Sequence, residues 1–145
     1  MCEIVLFDLA KKLKEKGYPQ EPKSGVLNQY YEWDGLRNIH PLYVEAVWYE
    51  SENKEYLYSA PTISQVLKWL REERKIYVGP CILADADTDA DGKVINEYTY
   101  WSFSVTHIET GDMIYFEYER IDDKRFDSYE QAALAGISYC LDNLL

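Results

Sequence analysis

The chain has 145 residues, 47% of them hydrophobic and 15% aromatic, which fits one compact domain with its own core rather than a disordered chain. Its formal net charge of −11 works against a phosphate backbone, because nucleic-acid binding relies on Lys and Arg displacing counterions. No apolar run approaches membrane-spanning length and no signal peptide opens the chain, so a cytoplasmic protein with reduced thiols is expected. With no Gly-rich phosphate loop and no H-E-x-x-H, no cofactor is expected.

The first element reads as a helix. Val5, Leu6, Leu9, Ala10 and Leu13 recur at helical spacing, and lysines crowd the last turns, where the helix dipole favours cations. Gly17 supplies a left-handed stop, with Pro19 close behind. Residues 20–60 are less regular. QEPKSG reads as a loop, and DGLRNIHP carries turn chemistry. Between Leu42 and Glu50 an alternating run predicts a strand, SENK a turn, and EYLYS a returning partner strand.

A second helix opens at Thr62, where Thr62-Ile63-Ser64-Gln65 has the form of a capping box, with Thr and Gln side chains satisfying each other's backbone N–H. Ile63, Val66, Leu67 and Leu70 fill one face of this helix, with Trp69 on the flank. KIYVGPCILA then predicts a strand, bent or interrupted at Gly79-Pro80 because Pro donates no ladder hydrogen bond. YTYWSFSVTH alternates cleanly, with Thr99, Trp101, Phe103, Val105 and His107 sharing one face. Glu109-Thr110-Gly111-Asp112 makes a hairpin turn, and MIYFEYE returns with Ile114, Phe116 and Tyr118 on one side. The last helix opens with a second capping box, Ser128-Tyr129-Glu130-Gln131, and carries the stripe Ala133, Ile137, Cys140, Leu141 and Leu144. The expected architecture is a single α+β domain over residues 1–145, with an antiparallel sheet of three or more strands covered by amphipathic helices.

Three groups of residues carry candidate chemistry. Asp87, Asp89, Asp91 and Gly92 reproduce the opening of a calcium loop, in which side-chain oxygens converge on the ion and Gly permits the sharp turn. The position for the bidentate Glu holds Tyr98 instead, and Glu97 falls one residue early. A hairpin tip with Asp91-Gly92 as its turn is the simpler reading of residues 87–97, and a divalent-metal module is the alternative. Cys81 and His107 are the one candidate nucleophile and base, meeting near one sheet end if their strands are neighbours. With no third residue to orient them, a buried Cys acting as a small hydrophobe is the simpler reading.

The aromatics from Tyr30 to Tyr58 make the third group, as core over a sheet or as an exposed contact surface. Tyr31, Trp33 and Trp48 are the candidates for contact with a protein partner or a second copy. Acidity adds to that picture: 13 of the 26 Asp and Glu lie between Asp85 and Glu130, against four basic residues. A solvated face is the first reading of such a span, and attraction of basic partners the second.

The segments FDLAKKLKEKGYP, YSAPTISQVLKWLREERKIYV and DSYEQAALAGISYCLDNLL, with the strand pair between 99 and 119, resemble in kind and order small proteins of bacterial phages and mobile elements, gut Bacteroidetes in particular. That family carries no assigned activity and supplies no functional residues. Composition, motifs and resemblance together lead to the expectation of a non-enzymatic accessory or interaction protein from a phage or integrated element.

Overall fold

The computed structural model describes residues 4–22, 29–31, 57–117 and 126–145. Among them the elements are helix α1 (Phe7–Glu15), strands β1 (Tyr30–Tyr31) and β2 (Tyr58–Ser59), helix α2 (Ile63–Glu73), strands β3 (Ile76–Thr88), β4 (Val94–His107) and β5 (Met113–Phe116), and helix α3 (Tyr129–Asn143). The protein is α+β, with a two-stranded sheet β1-β2 and a three-stranded antiparallel sheet in the order β3-β4-β5. The chain divides into two compact units, residues 1–69 with 141–145, and residues 70–140.

In the first unit the chemistry around α1 is local. Gly17 has a φ of 91°, its N–H donates to Lys14 O at 3.2 Å, and the Tyr18 N–H donates to Leu13 O at 2.9 Å. This is a Schellman stop, and Leu13 and Tyr18, which it brings together, are both buried. Leu6 departs from the expected stripe: it stands at the helix start, 71% exposed. The α2 capping box closes as its spacing predicts, with Gln65 N–H on Thr62 Oγ1 at 3.2 Å and Thr62 N–H on Gln65 Oε1 at 2.9 Å. Val66, Leu67 and Trp69 are buried.

Tyr58–Ser59 does return as a strand, but its partner is Tyr30–Tyr31. The expected strand Leu42–Glu50 and the turn at 51–54 lie outside the described residues. Edge-to-face rings fill this unit, Phe7 against Tyr31 and Tyr58, and Tyr18 against Trp69, with centroids 5.3–5.6 Å apart.

In the second unit β3 runs unbroken through Gly79 and Pro80, which face Ser104 and Phe103. The expected interruption is absent because β3 is an edge strand, where a residue without an N–H leaves no ladder partner unsatisfied. The β4–β5 turn forms as its residues predict. Gly111 has a φ of 73°, and His107 N–H donates to Asp112 O at 2.8 Å.

Helix α3 lies over one face of this sheet, and Gly136 lets it approach so closely that an added Cβ would stand 2.4 Å from Val78 Cγ1. On the same face Tyr115 stacks on Tyr139 at 4.1 Å. Since Tyr115 faces the helix, Ile114 and Phe116 belong to the opposite side of the sheet, Phe116 paired with Ser104 there. The second capping box forms with one change. Gln131 N–H donates to Ser128 Oγ at 3.1 Å, while Gln131 Oε1 accepts from Asp127 N–H at 2.9 Å.

Candidate functional site

The acidic stretch is the end of a long β3–β4 hairpin. Asp87 lies in β3 opposite Asn96, and the chain turns between Thr88 and Val94. Asp89 organises that turn. Its N–H donates to Lys93 O at 2.9 Å, its carbonyl accepts from Gly92 N–H at 3.0 Å, and its Oδ1 accepts from the N–H groups of Asp91 and Lys93, both at 2.9 Å. Gly92 has a φ of 81°, the left-handed backbone that this turn requires. The oxygen a calcium loop would aim at an ion therefore binds the turn's own backbone. Among the described residues no three His, Cys, Asp or Glu side chains are grouped to hold a metal ion.

Cys81 and His107 do not form a pair. Their strands are neighbours, but Cys81 lies opposite Ser102 and His107 opposite Ile76. Five residues of strand separate them, roughly 17 Å, and the alternation of side chains puts them on opposite faces. Burial pushes the Cys81 thiol up, away from the thiolate a nucleophile requires.

Of the three aromatic candidates, Tyr31 is core. Its hydroxyl donates to Val5 O at 2.8 Å, and burial raises the phenol's pKa. Tyr30 is buried beside it, with its hydroxyl on Gln20 O at 2.6 Å. The contact-surface expectation therefore does not hold at Tyr31, because its polar end is satisfied inside the protein. Trp33 and Trp48 lie outside the described residues.

Exposed apolar side chains lie at Leu6, at Tyr77, around the β4–β5 turn at Ile108 and Met113, and on the β3–β4 hairpin. Past the end of β5 the only described pairing to the outer side of β4 is a bridge between Trp101 and Phe126, with N···O distances of 3.0 and 3.3 Å. Beyond that bridge, among the described residues, β3 and β4 continue as a two-stranded arm over residues 82–101. Ile82 is 59% exposed, Val94 50% and Ile95 67%. Tyr98 and Tyr100 are half-buried on the face they share with Asp85, and the Tyr98 hydroxyl donates to Asp85 Oδ2 at 3.3 Å. A groove of about 470 Å³ lies at the base of the arm, lined by Ile82, Thr99, Trp101, Phe126 and Asp127 among others. A wider one of about 730 Å³ lies over Ala84, Ala86, Glu97 and Thr99.

A further polar group sits beside β5. Glu117 is buried, its Oε2 accepts from the Tyr115 hydroxyl at 2.5 Å, and its carbonyl accepts from the Ser102 hydroxyl. The Ser102 bond fastens the end of β5 to β4.

The arm's apolar residues and acidic turn are visible in the sequence, but its two-stranded character is not. That character depends on Phe126, a distant residue, ending the outer pairing at Trp101. No helix of the described residues is long and apolar enough to cross a membrane. Comparison with known protein families, with curated proteins and with solved structures finds no match.

Proposed function

We propose that this is a non-enzymatic accessory or interaction protein, of phage or mobile-element kind, that works in the cytoplasm by contact with another protein. The observation that carries this reading is the two-stranded arm, which holds Ile82, Val94 and Ile95 at half exposure or more. Aliphatic side chains exposed to water are stabilised when a partner covers them. The acidic balance of the chain, −11 overall, favours a protein over a nucleic acid as that partner. The resemblance of the helical segments to phage and mobile-element proteins supports the origin, and the role rests on the arm.

The test shortens the arm. Residues 86–97 are replaced by Asn-Gly, joining Asp85 to Tyr98, a hydrogen-bonded pair that a two-residue turn closes well. Partners captured by the full-length protein from host cells are identified by mass spectrometry and tested again as purified pairs. The expected outcome is a pair that forms with the wild type and is lost with the shortened arm, at an unchanged thermal midpoint. Pairs that all survive the shortening would place the contact elsewhere and end this reading.

A further inference from the structure

Resting on that contact reading, we propose that the free edge of β4 at Glu97 and Thr99 accepts an extended, basic segment of the partner as an added strand. Trp101 and Phe126 exchange both of their backbone hydrogen bonds, so Trp101 directs its N–H and C=O away from β3. The orientation repeats at every second residue of an antiparallel strand, so Thr99 and Glu97 also direct theirs outward. Among the described residues nothing pairs with them. The bridge does not continue past Phe126, because the next partner for Thr99 would be Ser128, which caps α3 instead: its carbonyl accepts from the Ala132 N–H at 3.2 Å and its Oγ from the Gln131 N–H at 3.1 Å. The groove of about 470 Å³ begins at that point, walled by Trp101, Phe126 and Asp127. An edge with unmet donors and acceptors beside a groove is the setting for strand addition.

The other edge of the sheet is blunted at its base, by Pro80. By the same alternation Pro80, Ile82 and Ala84 face outward from β3, and Pro80 has no N–H to offer. Charge selects the occupant. Residues 85–97 carry five carboxylates against one lysine, with Asp127 beyond. A second copy of this chain would bring the same carboxylates to the same edge, and like charges across a strand pair are destabilising. A strand carrying Lys or Arg on alternate positions meets complementary charge on entering the groove.

The experiment measures fluorescence anisotropy of a labelled ten-residue peptide of alternating Lys and Val, titrated with the full chain. It is repeated with a Glu–Val peptide and with Lys–Val peptides N-methylated at every second residue, in each of the two phases. The Lys–Val peptide is expected to bind, more weakly at higher salt, and the Glu–Val peptide to bind at least about tenfold less tightly. One N-methyl phase should lose about tenfold or more in affinity and the other should not, since only one row of N–H groups pairs. In the protein, Thr99→Pro removes an outward donor without touching the β3 ladder and should weaken binding about tenfold, whereas Ala84→Pro on the opposite edge should not. Absent binding of the Lys–Val peptide, equal binding of both N-methyl phases, or loss with Ala84→Pro alone would overturn the proposal. The peptide phases decide it even if Thr99→Pro does not fold. A purified partner that is lost on shortening the arm but kept by a folded Thr99→Pro variant would refute strand addition and leave the contact reading standing.

Discussion

Gly136→Ala sets two effects of opposite sign against each other. In an unencumbered helix, Ala in place of Gly is favourable by about 1 kcal/mol. Here the new Cβ would stand 2.4 Å from Val78 Cγ1 and 3.1 Å from Phe103 Cδ2. Carbon atoms in contact settle at about 3.5–4.0 Å, so helix or strand must yield by about 1 Å. Neither has room, since Val78 is 4% exposed, Phe103 3%, and the neighbouring Ala133 and Ile137 are wholly buried. Overpacking of a full core costs about 1–3 kcal/mol, and with both neighbours held the upper part of that range applies.

The net expectation is a loss of about 1–2 kcal/mol, a fall in the urea midpoint of roughly 0.5–1 M at a slope of about 2 kcal/mol/M. The assay is urea unfolding followed by circular dichroism and tryptophan fluorescence. A double-mutant cycle then isolates the clash. Val78→Ala alone should cost about 2 kcal/mol through lost burial and a cavity. In the Gly136→Ala background it should cost at least about 1 kcal/mol less, because it removes the obstructing methyl. A Gly136→Ala variant with a raised midpoint, or two substitutions that simply add, would refute the close approach of α3 to the sheet.

Ile137 is wholly buried on the same helix, and Ile137→Asp should cost about 4 kcal/mol or more by leaving a charge unpaired in the core; a soluble variant unfolding cooperatively near the wild-type midpoint would disprove this. Lys75 holds a φ of 57° just after α2, so Lys75→Gly should raise stability by about 0.5–1 kcal/mol through relief of the left-handed backbone, and a lowered urea midpoint would count against it. Burial pushes the Cys140 thiol up from 9.0 to about 12. Above pH 9 the unfolded thiol ionises and the folded one does not, so this group's contribution, fully present below that pH, is lost as pH rises towards about 12. Stability measured across that window should fall less steeply in Cys140→Ala than in the wild type, and equal slopes would show that the thiol is not held protonated.

Features governed by neighbours along the chain were legible in the sequence. The Gly17 stop, the capping boxes at Thr62 and Ser128, the alternation of β4 and the turns at Gly92 and Gly111 each rest on residues a few positions apart. Their hydrogen bonds close within one turn of chain, so residue type and spacing suffice to specify them. Strand partners and register are settled by distant residues, which the local pattern does not contain. Tyr30–Tyr31 pairs with Tyr58–Ser59, burying an aromatic that residue type alone also suits to a contact surface. A single register places Cys81 opposite Ser102 and thereby carries His107 five residues away and to the other face. Phe126 meets Trp101 across the sheet and stops there, so that among the described residues nothing pairs with the edge at Glu97 and Thr99. These outcomes were decided by competition between remote segments for the same sheet edge, and only the folded chain records which segment won.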